Sequence, residues 1–185
     1  MAVPYPTGAR QNYQGKLLVA HPKMTGYFGR TVILIYQDDP KNGTAGLVLN
    51  KPTKIRVGDI IADRGMAYAG TEHVYSGGPV SESAVIMLHE DNWYSSNTLQ
   101  VCRGLSITSD DIMMEKLSMG NDPLAWRMCM GIAGWHPGQL QKEIDGQYGW
   151  LTCDADGSIV FAKDGERQWN QALQKCANQT IDSYF

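Results

Sequence analysis

The chain has 185 residues, 43% hydrophobic and 19% charged, with a net charge of −3 and a pI near 5.8. Those proportions suit one folding domain that buries roughly 70% of its unfolded surface, and they exclude a disordered chain. The acidic balance gives phosphate backbones no general attraction, so direct nucleic-acid binding is not expected, although Lys16, Lys23, Arg30, Lys51, Lys54 and Arg56 make the first third locally basic.

Residues 1–14 read as an irregular leader containing Pro4, Pro6 and Gly8. No basic stretch precedes an apolar core there, so no signal peptide is expected, and no apolar run approaches the roughly 20 residues that span a bilayer. A cytoplasmic location follows as the expectation, with one domain over 15–185. Cys102, Cys129, Cys153 and Cys176 form no CxxC pair. Free buried thiols are therefore expected rather than zinc ligation or thiol exchange, two disulfides being the alternative for an exported chain.

Lys16–Ala20 reads as a short buried strand stopped by His21-Pro22. Residues 31–36 form a continuously apolar, β-branched run that needs cover on both faces, as a central strand does. Turn residues over 38–43 lead to a hairpin return over 44–50, which Lys51-Pro52-Thr53 ends because proline cannot donate to a ladder. Residues 57–63 predict a short helix with Val57, Ile60 and Ile61 on one face. Strands are predicted over 72–76 and 84–89, on either side of Gly77-Gly78-Pro79-Val80, and over 99–102 and 105–107 around Arg103-Gly104.

A helix opens at Thr108-Ser109-Asp110-Asp111, where acidic side chains meet the positive end of the macrodipole, and runs through Met119. Residues 124–132 read as a strand, with a helix as the alternative because the methionines suit both. Pro137 sits in the first turn of a helix that carries Leu140 and Ile144 on one face and ends on Gly146. A strand over 149–153, an apolar segment over 159–162 and a helix over 165–177 with Trp169, Leu173 and Cys176 on one face complete the chain. Several returns are too short for parallel crossovers, which need about a dozen residues. The fold class is therefore α/β with α+β character: a mixed, mainly antiparallel sheet flanked by a few helices.

Three stiff corners supply the candidate site. Asn50-Lys51-Pro52 ends an apolar strand, where polar side chains can emerge, or simply closes the strand. The amides of Gly77-Gly78-Pro79 can cradle an anion, or the segment is only a tight turn. Gly134-Trp135-His136-Pro137-Gly138-Gln139 leads into a helix whose first amides suit an anion. Gln139 and Glu143 lie four apart, so one helix face presents an amide with a carboxylate, or else a solvated polar surface anchored by Trp135. His21, His73, His89 and His136 make no HxH or HExxH spacing, and no GxxxxGK[ST], GxGxxG or GxSxG string occurs. No metal, cofactor or assembled nucleophile is expected, and the apolar strand settings of Cys102, Cys129 and Cys153 predict raised thiol pKa values.

Five strings occur in order: Gly15-Lys16-Leu17-Leu18-Val19-Ala20-His21-Pro22, Phe28-Gly29-Arg30-Thr31-Val32-Ile33, Gly46-Leu47-Val48-Leu49-Asn50-Lys51-Pro52, Val74-Tyr75-Ser76-Gly77-Gly78-Pro79-Val80 and Gly134-Trp135-His136-Pro137-Gly138-Gln139-Leu140. Together they resemble the YqgE/AlgH family. The resemblance implies a single domain whose bent mixed sheet closes towards a pseudo-barrel. Some such proteins are labelled transcriptional regulators linked to alginate production, without a DNA-reading module, and no catalytic residues come with the name. Two positions depart from the family pattern: Tyr36-Gln37-Asp38-Asp39 stands where a histidine is common, and Gln141 where glutamate is.

The expected function is a non-catalytic binding or regulatory module that accepts a protein segment or small ligand. Its candidate residues are Asn50, Lys51, Gly77, Gly78, Pro79, Trp135, His136, Gln139 and Glu143. The alternatives are an enzyme of unfamiliar type, such as a hydrolase using Lys51, His136 or Glu143, and a regulator of transcription that acts through a protein partner.

Overall fold

Period-two alternation builds the middle of the sheet. In β1 (Lys16–Ala20), Leu17 and Val19 face one side and Leu18 and Ala20 the other; β2 (Val32–Asp39) repeats this with Val32 and Leu34 against Ile33 and Ile35. All are fully buried, and each large aliphatic side chain so buried contributes about 1.5–3 kcal/mol. A computed structural model describes residues 10–163 and 165–183, so 1–9 of the expected leader lie outside the described residues.

The turn at 38–43 makes the predicted hairpin, and β2 pairs antiparallel with β3 (Gly43–Val48). Pro52 lies beyond the end of that strand and begins β4 (Pro52–Arg56), which among the described residues pairs with β5 (His73–Ser76) alone, an edge position where the missing N–H costs nothing. Between them lies α1 (Val57–Ala62), with Val57, Ile60 and Ile61 buried as predicted. β6 (Val80–Glu90), β7 (Leu99–Cys102) and β8 (Leu105–Thr108) lead to α2 (Asp111–Ser118), whose N-cap Asp110 accepts from the Met113 amide. The methionine-rich segment is a strand, β9 (Trp126–Trp135). There follow α3 (Gln139–Asp145), β10 (Trp150–Asp154), α4 (Gly157–Val160) and α5 (Gly165–Asp182). Pro137 therefore precedes its helix, and the apolar segment near Ile159 is a turn of helix.

The strand order is β10-β1-β2-β3-β9-β6-β8-β7, with β4 and β5 attached to β9 through a parallel β5–β9 pair; the other described pairs are antiparallel. β7 comes back against β2, so this single domain is a curled half-barrel with five helices among the described residues. Its inner face packs Leu17, Val19, Leu34, Leu47 and Leu88 beneath α4 and α5, where Trp169 Nε1 donates to the Ala20 carbonyl at 3.0 Å. The outer face of β1–β3 is covered by Tyr13, Trp135, Leu140 and Trp150.

β9 joins the two halves by bending at Gly131 (φ 79°), where Gly77 and Gly78 cross it. The Gly77 amide donates to the Met130 carbonyl at 2.7 Å and its carbonyl accepts from Val48 N at 2.8 Å. A Cβ on Gly77 would lie 2.3 Å from the Gly131 oxygen, and one on Gly78 2.1 Å from the Ile132 carbonyl carbon. Only backbone fits there.

The Tyr36–Asp39 stretch and Gln141 also have structural work. The buried Asp38 carboxylate accepts from Arg10 Nη2 (2.6 Å), Tyr13 N (2.8 Å) and Thr44 Oγ1 (2.7 Å), while Gln141 Oε1 accepts from the Tyr13 hydroxyl at 2.6 Å. Burial raises the Asp38 pKa, but these donors outweigh it and hold the carboxyl below its usual range. A depressed folded pKa stabilises above the unfolded value, about 3.9, and that contribution disappears as pH falls through the folded value. Urea melts of wild type and Asp38→Asn are therefore expected to differ more at neutral pH than in strong acid; an equal gap at both would remove Asp38 from the acid response.

Candidate functional site

The three corners do not converge as one set. Asn50 is a staple: its Oδ1 accepts from Val32 N at 3.0 Å, and its Nδ2 donates to the carbonyls of Arg30 (2.8 Å) and Gly165 (3.2 Å). Lys51 folds back, donating to the Tyr27 carbonyl with Nζ 3.5 Å from the Tyr27 ring centroid, and burial lowers its pKa. Gly77, Gly78 and Pro79 belong to the strand crossing; both glycines are buried against β9, and the Gly77 amide is already taken.

The third corner is built around Glu143. Its Oε2 accepts from the indole N–H groups of Trp135 and Trp150, both at 2.9 Å, and its Oε1 from Gln139 Nε2 at 2.9 Å. The shared helix face thus orders an amide and a carboxylate as the spacing predicts. At the start of α3 the His136 amide donates to Gln139 Oε1 at 3.0 Å, and the Gln139 amide returns to the His136 carbonyl at 3.0 Å. His136 itself is exposed.

Two of the corners are bridged by residues outside the candidate set. Tyr27 meets Phe28 edge-on at 4.8 Å, Phe28 meets Trp150 at 5.7 Å, and Trp150 meets Trp135 at 6.2 Å. This ladder runs from Lys51 to Glu143. Along it opens a groove of about 400 Å³ lined by Met24, Tyr27, Phe28, Glu143 and Trp150.

A second groove, of about 550 Å³, lies between β4–β5 and the start of β9, with Tyr75, Trp126, Arg127, Phe161 and Lys163 in its walls. Arg127 is 4% exposed. Its Nη1 donates to the Leu49 and Val160 carbonyls and Nη2 to the Ala162 carbonyl, and the guanidinium lies 4.0 Å from the Tyr75 ring centroid. The sequence pattern does not single it out, although a lone arginine inside an apolar strand is the available signal, because arginine is seldom buried unpaired.

All four cysteines are unpaired. Burial raises the Cys102 pKa and pushes Cys129 up to about 12, as their strand settings predict. Cys153 departs: a hydrogen bond from the Cys176 thiol lowers it. Among the described residues no His, Cys, Asp or Glu group is arranged to hold a metal ion, and no helix is long and apolar enough to cross a membrane.

The AlgH-like family model matches residues 17–180. The chain belongs to the AlgH-like family. It is 33% identical over 164 residues to a UPF0301 protein of Methylococcus capsulatus, covering 86% of this chain and 89% of that one, and 32% identical over 170 residues to one of Rhizobium meliloti, covering 86% and 84%. The solution structure of the AlgH protein from Pseudomonas aeruginosa superimposes with a TM-score of 0.75 at 25% identity, over 95% of this chain and 92% of that one. A Corynebacterium diphtheriae protein shares the fold at a TM-score of 0.73 and 23% identity, over 89% and 87%. Membership of the AlgH-like family brings no assigned activity or ligand.

Proposed function

We propose that this AlgH-like protein is a non-catalytic binding module of the cytoplasm, with its recognition surface on the aromatic ladder at Tyr27, Phe28 and Trp150. The engagement of Glu143 by three donors carries this reading. A carboxylate that accepts three N–H groups, two of them from buried indoles, serves to hold the surface rigid; moving a proton through it would break the contacts that orient both tryptophans. Asn50 and Lys51 are committed to backbone carbonyls in the same way. What faces outward is ring surface, with Tyr27 42% exposed beside a groove of suitable size for a side chain or small ligand. Rigid aromatic rings with their polar ends tied down contribute contact area at little entropic cost. Regulation through a protein partner would use this same surface.

The test follows the indole N–H resonances of Trp135 and Trp150 while metabolite pools and candidate partner proteins are added. Binding that moves these resonances, and that Tyr27→Ala and Phe28→Ala weaken about tenfold or more with melting unchanged, is expected. Binding indifferent to both substitutions would remove the ladder. A hydrolase panel run beside it, in which turnover appears and Glu143→Gln abolishes it, would replace the binding reading with the enzyme.

A further inference from the structure

The groove over Arg127 has different chemistry and is independent of the ladder. Its wall contains a cation that is 4% exposed and, among the described residues, meets no carboxylate within ion-pair distance. The carbonyls of Leu49, Val160 and Ala162, with Gln168 Oε1 at 3.5 Å, account for where the guanidinium points; they are neutral, so among the described residues its hydrogen-bond partners carry no opposing charge. Buried charges are normally paired, since removal from water is costly and neutral dipoles recover only part of the loss. Burial also lowers the Arg127 pKa, with Tyr75 and Cys129 opposing that shift.

Around this cation the groove is aromatic and mostly basic. Tyr75 stacks under the guanidinium, Trp126 and Phe161 add ring surface, and the exposed Lys163 follows directly on Ala162, whose carbonyl Arg127 holds. Of the remaining titratable groups, His73 faces the Thr53 carbonyl through Nδ1 at 3.0 Å, and the acid Glu72 accepts from the Tyr68 hydroxyl at 2.8 Å. Lys163 and Arg127 thus set the charge at one end and the rings the shape of the rest.

We propose that this groove binds a small ligand in which an anionic group, a carboxylate or a phosphate, is attached to a flat ring. The anion lies at the Arg127–Lys163 end, where the Lys163 ammonium donates to either oxyanion and the guanidinium beside it adds positive charge. The ring lies against Trp126 and Phe161, and the cavity volume is within the range of small-molecule sites.

Amide and indole spectra of the full chain, titrated with benzoate and with AMP as the two anionic probes, test this against benzamide, adenosine and inorganic phosphate. At least one anionic probe is expected to shift the Trp126 indole and the amides around Phe161 and Lys163, with about tenfold tighter binding than its neutral counterpart. Added salt should weaken that binding. Lys163→Ala alters an exposed side chain, so the protein should fold as before while affinity drops about threefold to tenfold, even if Arg127→Lys fails to fold. Benzoate distinguishes a carboxylate source from the phosphate source that AMP represents. The proposal is overturned if neither anionic probe shifts these resonances, if benzamide or adenosine binds as well as its charged counterpart, or if phosphate alone binds as tightly as AMP and benzoate.

Discussion

Gly78→Ala is expected to cost about 4 kcal/mol or more, enough to unfold much of the population of an ordinary domain. The new methyl group would stand 2.1 Å from the Ile132 carbonyl carbon and 2.3 Å from the Ala133 nitrogen, and φ at this position is 151°. Neither neighbour is a flexible side chain that can swing aside; both are backbone atoms of β9, the strand that pairs with β3, β5 and β6. Relieving the clash would pull those pairings apart. Gly134→Ala is the matched control, because nothing lies within 4 Å of its added Cβ. It should stay within about 0.5 kcal/mol of wild type. Denaturant melts of the two variants decide the matter, and similar stabilities would mean that the crossing is not tight.

Glu143→Leu is expected to cost about 3 kcal/mol, well beyond the roughly 1 kcal/mol expected for Glu143→Gln. Leucine leaves the Trp135 and Trp150 indole N–H groups and the Gln139 amide without their acceptor, and each orphaned buried donor costs about 1–3 kcal/mol. Glutamine keeps one oxygen where both indoles converge. Water can reach part of this half-buried site, which is why the three losses do not simply add. Urea melts combined with the indole N–H resonances give the comparison; leucine proving no worse than glutamine would make the carboxylate a bystander and remove the main support for a frame role.

Much of the fold was legible locally. The alternation in β1 and β2, the turn at 38–43 and the acidic N-cap of α2 each depend on residues within a few positions of one another. Their elements accordingly appear close to where the sequence puts them. The strand that begins at Pro52 is not legible locally, because the edge pairing that tolerates a missing N–H is a tertiary property. Pro137 stands two residues before α3 rather than in its first turn, because the contacts that hold the helix, between Gln139 and His136 and between Glu143 and the tryptophans, begin at Gln139.

The site divides in the same way. Gln139 and Glu143 could be paired from their spacing, but the partners that fill the Glu143 carboxylate come from β9 and β10, and only their packing brings both indoles to one oxygen. The Tyr27–Phe28 link between two corners is likewise a contact between distant segments.

By itself the sequence determined the strand and helix framework, the AlgH-like resemblance and the positions of the stiff corners, because periodicity, turn chemistry and ordered motifs are written in neighbouring residues. Only the tertiary structure decided that the Gly77–Gly78 corner is a backbone crossing, that Asn50 is a staple and that Arg127 lines a groove where, among the described residues, no carboxylate comes within ion-pair distance. Those properties depend on clearance, saturation of donors and local charge balance, which are set by residues as far apart as Arg127 and Leu49, 78 positions away.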